Sequence, residues 1–409
     1  MRPRPVHGPA PCRDRGGSPR PGRRFGPTSF SRTRATGRRT DGRSRPVTEN
    51  PPGGGALNIA IAGAGPAGAY LAALLSARGI DPDLYDPMAH ATRCGLRPCG
   101  WGVSRRLGPY LDAVGLALDD YALAPMETLV IEGLRARTPL LTIEKPRLVR
   151  DLVRTVRVHR RFLAPPEAGE FDLVVDATGI ARALLPPCRS DLVMRTLQCR
   201  VRAEGPGDRL PGPAVRGSAV PGFGYTWAFP LGGTDYHVGV GAIGPADLET
   251  LLERSLRGWA GGGPRLARCC ACGGAVRVSS PYYATPFFSR RPPGDGGPRL
   301  VVGAGESIGT VGPFTGEGIL PSLECARLLA DRLGDPEGYT RAVLARFGWM
   351  RGERETLDRL LAAGGGGALG LRDRWRFYRN ARRSGIRLPL AEAVREAGRL
   401  SRWVDGPGR

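Results

Sequence analysis

The chain has 409 residues, and 60 basic against 38 acidic side chains give it a formal net charge of +22. Such a charge is typical of nucleic-acid-binding proteins, in which Lys and Arg neutralise phosphates. Here residues 1–56 carry a net +10 and the remaining 353 residues a net +12. Because 41% of the residues are hydrophobic and 24% are charged, the body is typical of a globular protein. Charge alone therefore identifies no function class.

Residues 1–56 differ from the rest, since they contain 10 Gly and 10 Pro but no Leu or Ile. So little apolar surface cannot offset the entropy of ordering, which predicts a disordered basic tail. A nucleic-acid or membrane arm, a targeting peptide and sequence upstream of the true start remain open, and we favour the last, with translation beginning near Val47. Nine irregularly spaced cysteines and the lack of a secretory signal favour reduced thiols in a cytoplasmic protein.

A glycine motif follows the first apolar segment of the body. Residues 57–62 alternate like a short strand, Gly63-x-Gly65-x-x-Gly68 comes next, and an Ala/Leu-rich helix is predicted over 69–78. In this context the first glycine permits a tight turn, the second lets a pyrophosphate approach the backbone, and the third lets helix and strand pack closely. The pattern predicts a dinucleotide site.

The next predicted strand ends at Asp86, 18 residues after the last glycine of the motif. An acid at this distance is typical of a group that accepts hydrogen bonds from ribose hydroxyls. A second glycine pattern, Gly239-x-Gly241-x-x-Gly244, has no acid-terminated strand after it. We therefore interpret it as part of a strand in a second sheet, which leaves one dinucleotide fold.

A third glycine-rich region, residues 305–319, follows a buried-type strand at 299–303 and precedes a predicted helix. Glu306 is placed to bind the ribityl hydroxyls of a flavin dinucleotide. The backbone around Gly316 and Gly318 is placed to direct N–H groups at the flavin pyrimidine, where a helix N-terminus stabilises negative charge.

Together with Asp176-Ala-Thr-Gly179, these motifs are similar to those of the FAD-dependent oxidoreductases related to aromatic hydroxylases. More specifically, residues 98–104 and Tyr225-Thr-Trp227-Ala-Phe229-Pro230 resemble the geranylgeranyl reductase family. That family carries a Pro-Cys-Gly-Gly-Gly-like segment and a Tyr-x-Trp-x-Phe-Pro box. The resemblance covers about residues 57–335.

The resemblance implies an α/β fold with a Rossmann-like FAD-binding domain, a second mixed or antiparallel-sheet substrate domain and C-terminal helices. We assign residues 57–110, 145–185 and 297–335 to the FAD-binding domain. Residues 111–144 and 186–296 are assigned to the substrate domain, and residues 336–409 to the helical region.

The resemblance also implies an FAD-dependent reductase that saturates carbon–carbon double bonds of a polyprenyl lipid, with NAD(P)H or a reduced ferredoxin as electron donor. A lipid substrate suggests a peripheral membrane contact, for which the Arg-rich and aromatic helix around Trp375 is a candidate. The alternative is a flavin monooxygenase or halogenase. Hydroxylases of this superfamily generally carry Gly-Asp-Ala-Ala-His where this chain has Gly305-Glu-Ser-Ile-Gly309.

Six residues are carried over from the family motifs. Catalytic roles are expected for the first three and substrate-pocket positions for the others: Cys99, Tyr225, Trp227, Trp101, Phe229 and Pro230. Since a polyprenyl chain has no polar handle near its alkene, shape and aromatic contact must position it. Cys99 is expected near the isoalloxazine, where it shapes the pocket, assists proton delivery or is an inert buried thiol. Trp101 occupies a usual glycine position, so it is expected to narrow the pocket or to stack near the flavin.

Other features favour no further site. Cys269, Cys270 and Cys272 include an adjacent pair that is unsuited to one tetrahedral ion, so we expect no metal, and their role stays open. Lys145 or Arg147 corresponds to a flavin-contacting Arg of the family. Because the aromatic residues cluster in pocket motifs rather than among basic residues, no nucleic-acid partner is expected. Oligomeric state is not encoded in any of these motifs.

Overall fold

The computed structural model describes residues 57–87, 99–131, 134–204, 214–219, 223–260, 266–290, 300–363 and 370–387. The predicted basic tail with its proposed start near Val47 lies outside the described residues, as does Pro98 of the cysteine motif.

The described chain contains both strands and helices, as expected for an α/β protein. The strands are β1 (Ile59–Ala62), β2 (Asp83–Tyr85), β3 (Gly102–Ser104), β4 (Ala122–Ile131), β5 (Leu134–Ile143), β6 (Arg157–His159), β7 (Leu173–Asp176), β8 (Val193–Ala203), β9 (Ala214–Ala219), β10 (Phe223–Pro230), β11 (Asp235–Ile243), β12 (Leu266–Arg277), β13 (Phe288–Arg290) and β14 (Leu300–Gly303). The α-helices are α1 (Pro66–Ser76), α2 (Gly108–Asp112), α3 (Lys145–Leu152), α4 (Pro165–Ala168), α5 (Leu248–Ala260), α6 (Ile319–Ala330), α7 (Pro336–Arg346), α8 (Gly348–Ala362) and α9 (Leu371–Arg383).

The first sheet has the strand order β13-β14-β7-β1-β2-β6, parallel except for the antiparallel edge strand β13. Ala62, the last residue of β1, is in register with Tyr85 on one side and Asp176 on the other. The carboxyl ends of parallel strands meet at one edge, where ligands of doubly wound sheets bind. This register therefore brings the glycine motif, Asp86 and the segment after Asp176 to the same edge.

Helix α1 starts at Pro66, three residues before the predicted start. Proline suits the first helical position because its fixed φ matches the helix and its missing N–H has no intrahelical partner there. The helix ends before Gly79, whose φ of +77° is in the left-handed region. Nine of its eleven residues are buried, and most are small or aliphatic, so the helix packs closely between β1 and α6.

The second sheet has the order β12-β8-β11-β10-β9-β4-β5-β3 and is antiparallel apart from the β4–β9 pair. Gly239 and Gly241 lie within β11, which confirms their interpretation as part of a strand, and Gly244 follows directly after it. Helix α5 covers one face of this sheet, where Leu252 packs with Val238 and Val240. Two strands do not lie in the sheet of the domain to which their residues were assigned. Strand β3, assigned to the FAD-binding domain, lies in the second sheet, and β13, assigned to the substrate domain, lies in the first.

Helices α7 to α9 form the predicted C-terminal helical region, and the mixed fold with one largely parallel and one largely antiparallel sheet confirms the predicted fold class. None of the helices in the described ranges has the length and apolarity needed to span a bilayer.

Candidate active site

A cavity of about 1280 Å³ extends from the carboxyl edge of the first sheet to the second sheet and the C-terminal helices. Its wall includes the glycine motif and Asp86 at one end, and residues of β10, α8 and α9 at the other. A cavity of this size suits a cofactor together with a substrate, because a site for a single small molecule is usually smaller than about 1,000 Å³.

The three motif glycines meet different surroundings. A Cβ at Gly63, where φ is +103°, would lie 2.3 Å from the carbonyl oxygen of Ala177. One at Gly68 would lie 1.9 Å from the carbonyl oxygen of Gly63. By contrast, a Cβ at Gly65 would meet no protein atom within 4 Å. The first and third glycines are therefore required by packing, whereas the second leaves open space at a helix N-terminus, as a pyrophosphate requires.

Asp86 is buried beside this turn, and its Oδ2 accepts a hydrogen bond of 2.6 Å from the backbone N–H of Ala64. Among the described residues, no side chain caps the N-terminus of α1, and its first turn carries no acid. The first-turn N–H groups of α1 therefore have no side-chain cap, and Asp86 is the carboxylate nearest to them through its bond to Ala64. The protein groups predicted to bind the ribose and the phosphates thus lie together at one end of the cavity.

Asp176 holds the neighbouring loop in place. Its Oδ1 accepts from the backbone and hydroxyl of Thr178, and its Oδ2 accepts from the backbone N–H groups of Leu184 and Leu185. Gly179, with φ at +68°, follows in this loop and lines the cavity. Asp176 therefore serves the loop, and Gly179 supplies the backbone that faces the cavity.

Glu306 lines the cavity in the turn after β14, and its Oε1 accepts a hydrogen bond of 2.8 Å from the backbone N–H of Arg277. The buried Arg277 side chain bridges this turn to the Gly179 loop, since it donates to the carbonyl oxygens of Glu306 and Gly179 and pairs with Asp191 at 2.8 Å. The predicted ribityl-binding acid is thus fixed at the cavity wall. Arg277 is a supporting residue that no sequence motif singled out.

The glycine-rich loop before α6 also faces the cavity. Gly316 has φ at +64°, and Gly318 is the N-cap of α6. The Tyr225 hydroxyl donates a hydrogen bond of 2.6 Å to the Thr315 carbonyl oxygen, and a Cβ on Gly316 would lie 2.7 Å from that hydroxyl. Burial raises the pKa of Tyr225. In this geometry the Tyr225 hydroxyl is bound to the loop, and its catalytic role stays a prediction.

Trp227 and Phe229 continue the row on the cavity face of β10. The Trp227 indole N–H donates to Gln198 at 3.1 Å, and its ring fills the space where a Cβ on Gly239 would be. Phe229 similarly covers Gly100 and Gly102, whose Cβ atoms would lie within 2.5 Å of its ring. These glycines explain how large aromatic side chains fit side by side along the cavity.

Trp101 has φ at +63°, which agrees with its place at a usual glycine position. Its ring is nearly buried and packs edge-to-face on His237, with centroids 4.3 Å apart. Burial, together with the charge of Arg200, lowers the pKa of His237 to about 3, so the imidazole is neutral. Trp101 therefore closes the cavity wall against the second sheet.

The remaining predicted residues divide between the cavity and the surrounding structure. Cys99 and Lys145 line the cavity. Arg147 instead lies over the Tyr121 ring and donates to the Asp120 carbonyl oxygen, so of the two basic candidates Lys145 is the one at the cavity. Pro230 is not among the described cavity-lining residues, since it ends β10 with its carbonyl oxygen bonded to the Thr142 hydroxyl.

The three clustered cysteines lie on β12, an edge strand of the second sheet. Within the described ranges, no group of three His, Cys, Asp or Glu side chains could hold a metal ion.

The sequence motifs did not indicate the contribution of the C-terminal helices. Glu353 of α8 and Asn380 of α9 line the far end of the cavity, and the Asn380 side-chain amide donates to Glu353 Oε1 at 2.9 Å. Phe377 also lines the cavity and packs edge-to-face on Phe314. Burial raises the pKa of Glu353 to about 7. The helical periodicity of α8 and α9 was the available signal, but it does not show which face meets a cavity.

Comparison with known proteins shows similarity in fold. No family profile and no curated protein matches the chain in sequence. A geranylgeranyl bacteriochlorophyll reductase-like protein from Thermoplasma acidophilum is 17% identical, with a TM-score of 0.57 over 74% of this chain and 87% of its own. A flavoprotein/dehydrogenase from Cytophaga hutchinsonii is 13% identical, with a TM-score of 0.51 over 78% and 90%. A tryptophan C-6 flavin-dependent halogenase from taromycin biosynthesis is 16% identical, with a TM-score of 0.52 over 74% and 78%.

The chain thus has the fold of Rossmann-type flavoproteins whose named activities range from reductase-like to halogenase. At these identities the similarity shows the fold, and function has to be argued from the site itself.

Proposed function

We propose that the protein is an FAD-dependent oxidoreductase that saturates carbon–carbon double bonds of an isoprenoid chain. The observation that carries the proposal is one continuous cavity. It joins the open space beside Gly65 at the N-terminus of α1, called the cradle below, to the aromatic row of Tyr225, Trp227 and Phe229. The cradle suits the pyrophosphate of a dinucleotide, and the aromatic row suits a chain without polar groups. An NAD(P)H or ferredoxin electron donor and a peripheral membrane encounter belong to the same proposal.

The residues at the cradle fit FAD. Gly65 leaves open space that would take the pyrophosphate, and the cavity-lining carboxylates Asp86 and Glu306 would bind the adenosine ribose and the ribityl chain, respectively. The backbone at Gly316 and Gly318, which also lines the cavity, would face the pyrimidine edge. When bound and reduced, FAD supplies a hydride. The protein's own groups orient the alkene, exclude water and supply the proton.

Anaerobic incubation of the purified yellow protein with dithionite and several polyprenyl lipids, followed by mass spectrometry, tests the reaction. We expect the gain of two hydrogens per saturated bond on at least one lipid. Hydroxylated or halogenated products in air, with no saturated lipid, would overturn the proposal. A colourless protein that does not bind FAD would overturn the cofactor assignment as well.

A flavin monooxygenase or halogenase is the second candidate, favoured by the fold similarity to the tryptophan halogenase. The carboxyl group of Glu353 in the cavity also suits an aromatic substrate, because its oxygens can accept a hydrogen bond from an N–H or O–H group. Incubation in air with NADPH, halide and a panel of indoles and phenols separates the two candidates.

A further inference from the structure

Glu353 is a buried carboxylate at the cavity end formed by the C-terminal helices. Glu353 is 3% exposed and lines the cavity. Asn380 donates to Oε1, while Oε2 has no hydrogen-bond partner among the described residues. A buried polar atom without a partner is uncommon in folded proteins, and a catalytic role is one of its recognised explanations.

The surroundings of Glu353 hold it in one orientation. It lies on the second turn of α8, and Asn380 of the neighbouring helix α9 donates a hydrogen bond to one of its two oxygens. Phe314 and Phe377 cover the same end of the cavity and contact each other edge-to-face, with centroids 6.0 Å apart. The remaining oxygen, Oε2, is thus a polar atom without a protein partner at this aromatic end of the cavity.

We propose that Glu353 is the catalytic acid of this cavity and transfers a proton from its carboxyl group to the substrate. The assignment rests on the proposed reductase function. In the step, the alkene π bond breaks, one carbon takes the proton of Glu353 to form a C–H bond, and the other carbon takes a hydride whose source is the reduced flavin. Glu353 is left as a carboxylate, which takes a proton from water before the next turnover.

The surroundings of Glu353 raise its pKa to about 7. Burial is the main cause of its raised pKa, and the charge of Glu317, which also lines the cavity, adds to it. Asn380, the Phe314 backbone and the charge of Arg383 act in the opposite direction. Glu317 accepts a hydrogen bond from Ser384 of the segment after α9, and burial raises its pKa too. An acid whose pKa lies near the working pH is suited to donate protons.

The test compares wild type with variants at Glu353. The quantity measured is the single-turnover rate at which a polyprenyl lipid oxidises the reduced, FAD-loaded protein under anaerobic conditions. We expect Glu353→Gln to slow the reaction by about 100-fold or more, the usual contribution of a general acid. The wild-type rate should fall as the pH rises through about 7, whereas the rate of the variant should not depend on pH in this range. Glu353→Asp, which keeps the acid, should recover part of the rate.

Glu355→Gln is the matched control, because Glu355 lies on the same helix outside the cavity and pairs with Arg351. Its rate should stay within about twofold of wild type, since surface ion pairs contribute little. An undiminished rate in Glu353→Gln, with FAD content unchanged, would overturn the assignment. An equally slow Glu355→Gln would also overturn it, by showing that α8 matters through its structure alone.

Infrared spectroscopy gives a readout independent of turnover. The wild-type minus Glu353→Gln difference spectrum at pH 6 should contain the carbonyl band of a protonated carboxyl group, and this band should disappear by pH 9. If no lipid oxidises the wild-type protein, the reductase proposal fails, whereas the band still reports on Glu353. Absence of the band at pH 6 would overturn the proton-donor assignment whatever the reaction is.

Discussion

The two ends of the cavity are built in different ways. At the dinucleotide end, the backbone forms the site, and Gly63, Gly65 and Gly68 lie within six residues of one another. At the carboxylate end, side chains form the site. Glu353 and Asn380 lie 27 residues apart in the sequence, on separate helices. Local backbone geometry can be predicted from spacing, whereas side chains brought together by helix packing cannot. Substitutions at both ends can test this difference.

The largest expected effect is at Gly68. A Cβ there would lie 1.9 Å from the Gly63 carbonyl oxygen and 3.0 Å from the Ala177 side chain, and a backbone oxygen cannot rotate away as a flexible side chain can. Gly68→Ala should lower the free energy of unfolding by about 3 kcal/mol, the upper range for overpacking in a core, as measured by urea denaturation. Gly108→Ala is the control, because its Cβ meets no atom within 4 Å. Equal stability of the two variants would contradict the role of Gly68 in packing.

At Gly65, in contrast, a substitution should weaken cofactor binding and leave stability unchanged. Its φ of −67° and ψ of 179° are open to any residue, and its Cβ position is free of protein atoms. Gly65→Val should therefore keep the melting temperature of the cofactor-free protein but weaken FAD binding about 100-fold, or about 3 kcal/mol, because the side chain fills the pyrophosphate space. Titration with FAD, followed by flavin fluorescence, measures the change. Unchanged affinity would place the pyrophosphate elsewhere.

The sequence predicted the fold and the dinucleotide end because each motif is local. The alternation of residues 57–62, the glycine spacing and Asp86 define one strand–turn–helix–strand unit. The wall of the second sheet was predicted in part: Trp227 and Phe229 line the cavity, whereas the Tyr225 hydroxyl is bound to a loop and Pro230 lies outside the cavity lining.

The carboxylate end was not predicted, for a physical reason. Arg-rich helices with scattered aromatic residues are typical of a solvated or membrane-facing surface, and Trp375 is indeed 53% exposed. Phe377, two residues later, instead faces the cavity. Which side of a helix is covered depends on the crossing of α8 and α9, which a single helical pattern does not specify.

Glu353 should also make stability depend on pH. Because its pKa rises from 4.5 to about 7 on folding, the folded protein binds more protons than the unfolded chain between these values. Its contribution to stability is fully present below pH 4.5 and is lost as the pH rises through about 7. The loss should reach at most about 3 kcal/mol.

Urea denaturation of the ligand-free protein at pH 5 and pH 8 measures this effect. Glu353→Gln, which stays neutral, should reduce the difference between the two pH values by the contribution of this one group, and Glu355→Gln should leave the difference unchanged. Parallel pH profiles for wild type and Glu353→Gln would show that the carboxyl group titrates normally in the folded protein.

The smallest expected effect is at Tyr225, where it separates positioning from catalysis. Tyr225→Phe keeps the ring and removes the 2.6 Å hydrogen bond to the Thr315 carbonyl oxygen, so stability should fall by about 1 kcal/mol. Tyr282→Phe is the matched control, since its hydroxyl also donates to a backbone carbonyl, that of Leu344, away from the cavity. If Tyr225 positions the loop, single-turnover rates of the two variants should agree within about tenfold. If its hydroxyl supplied the proton, Tyr225→Phe alone should lose about 100-fold or more, and the carboxylate end would then no longer be needed as the source of the acid.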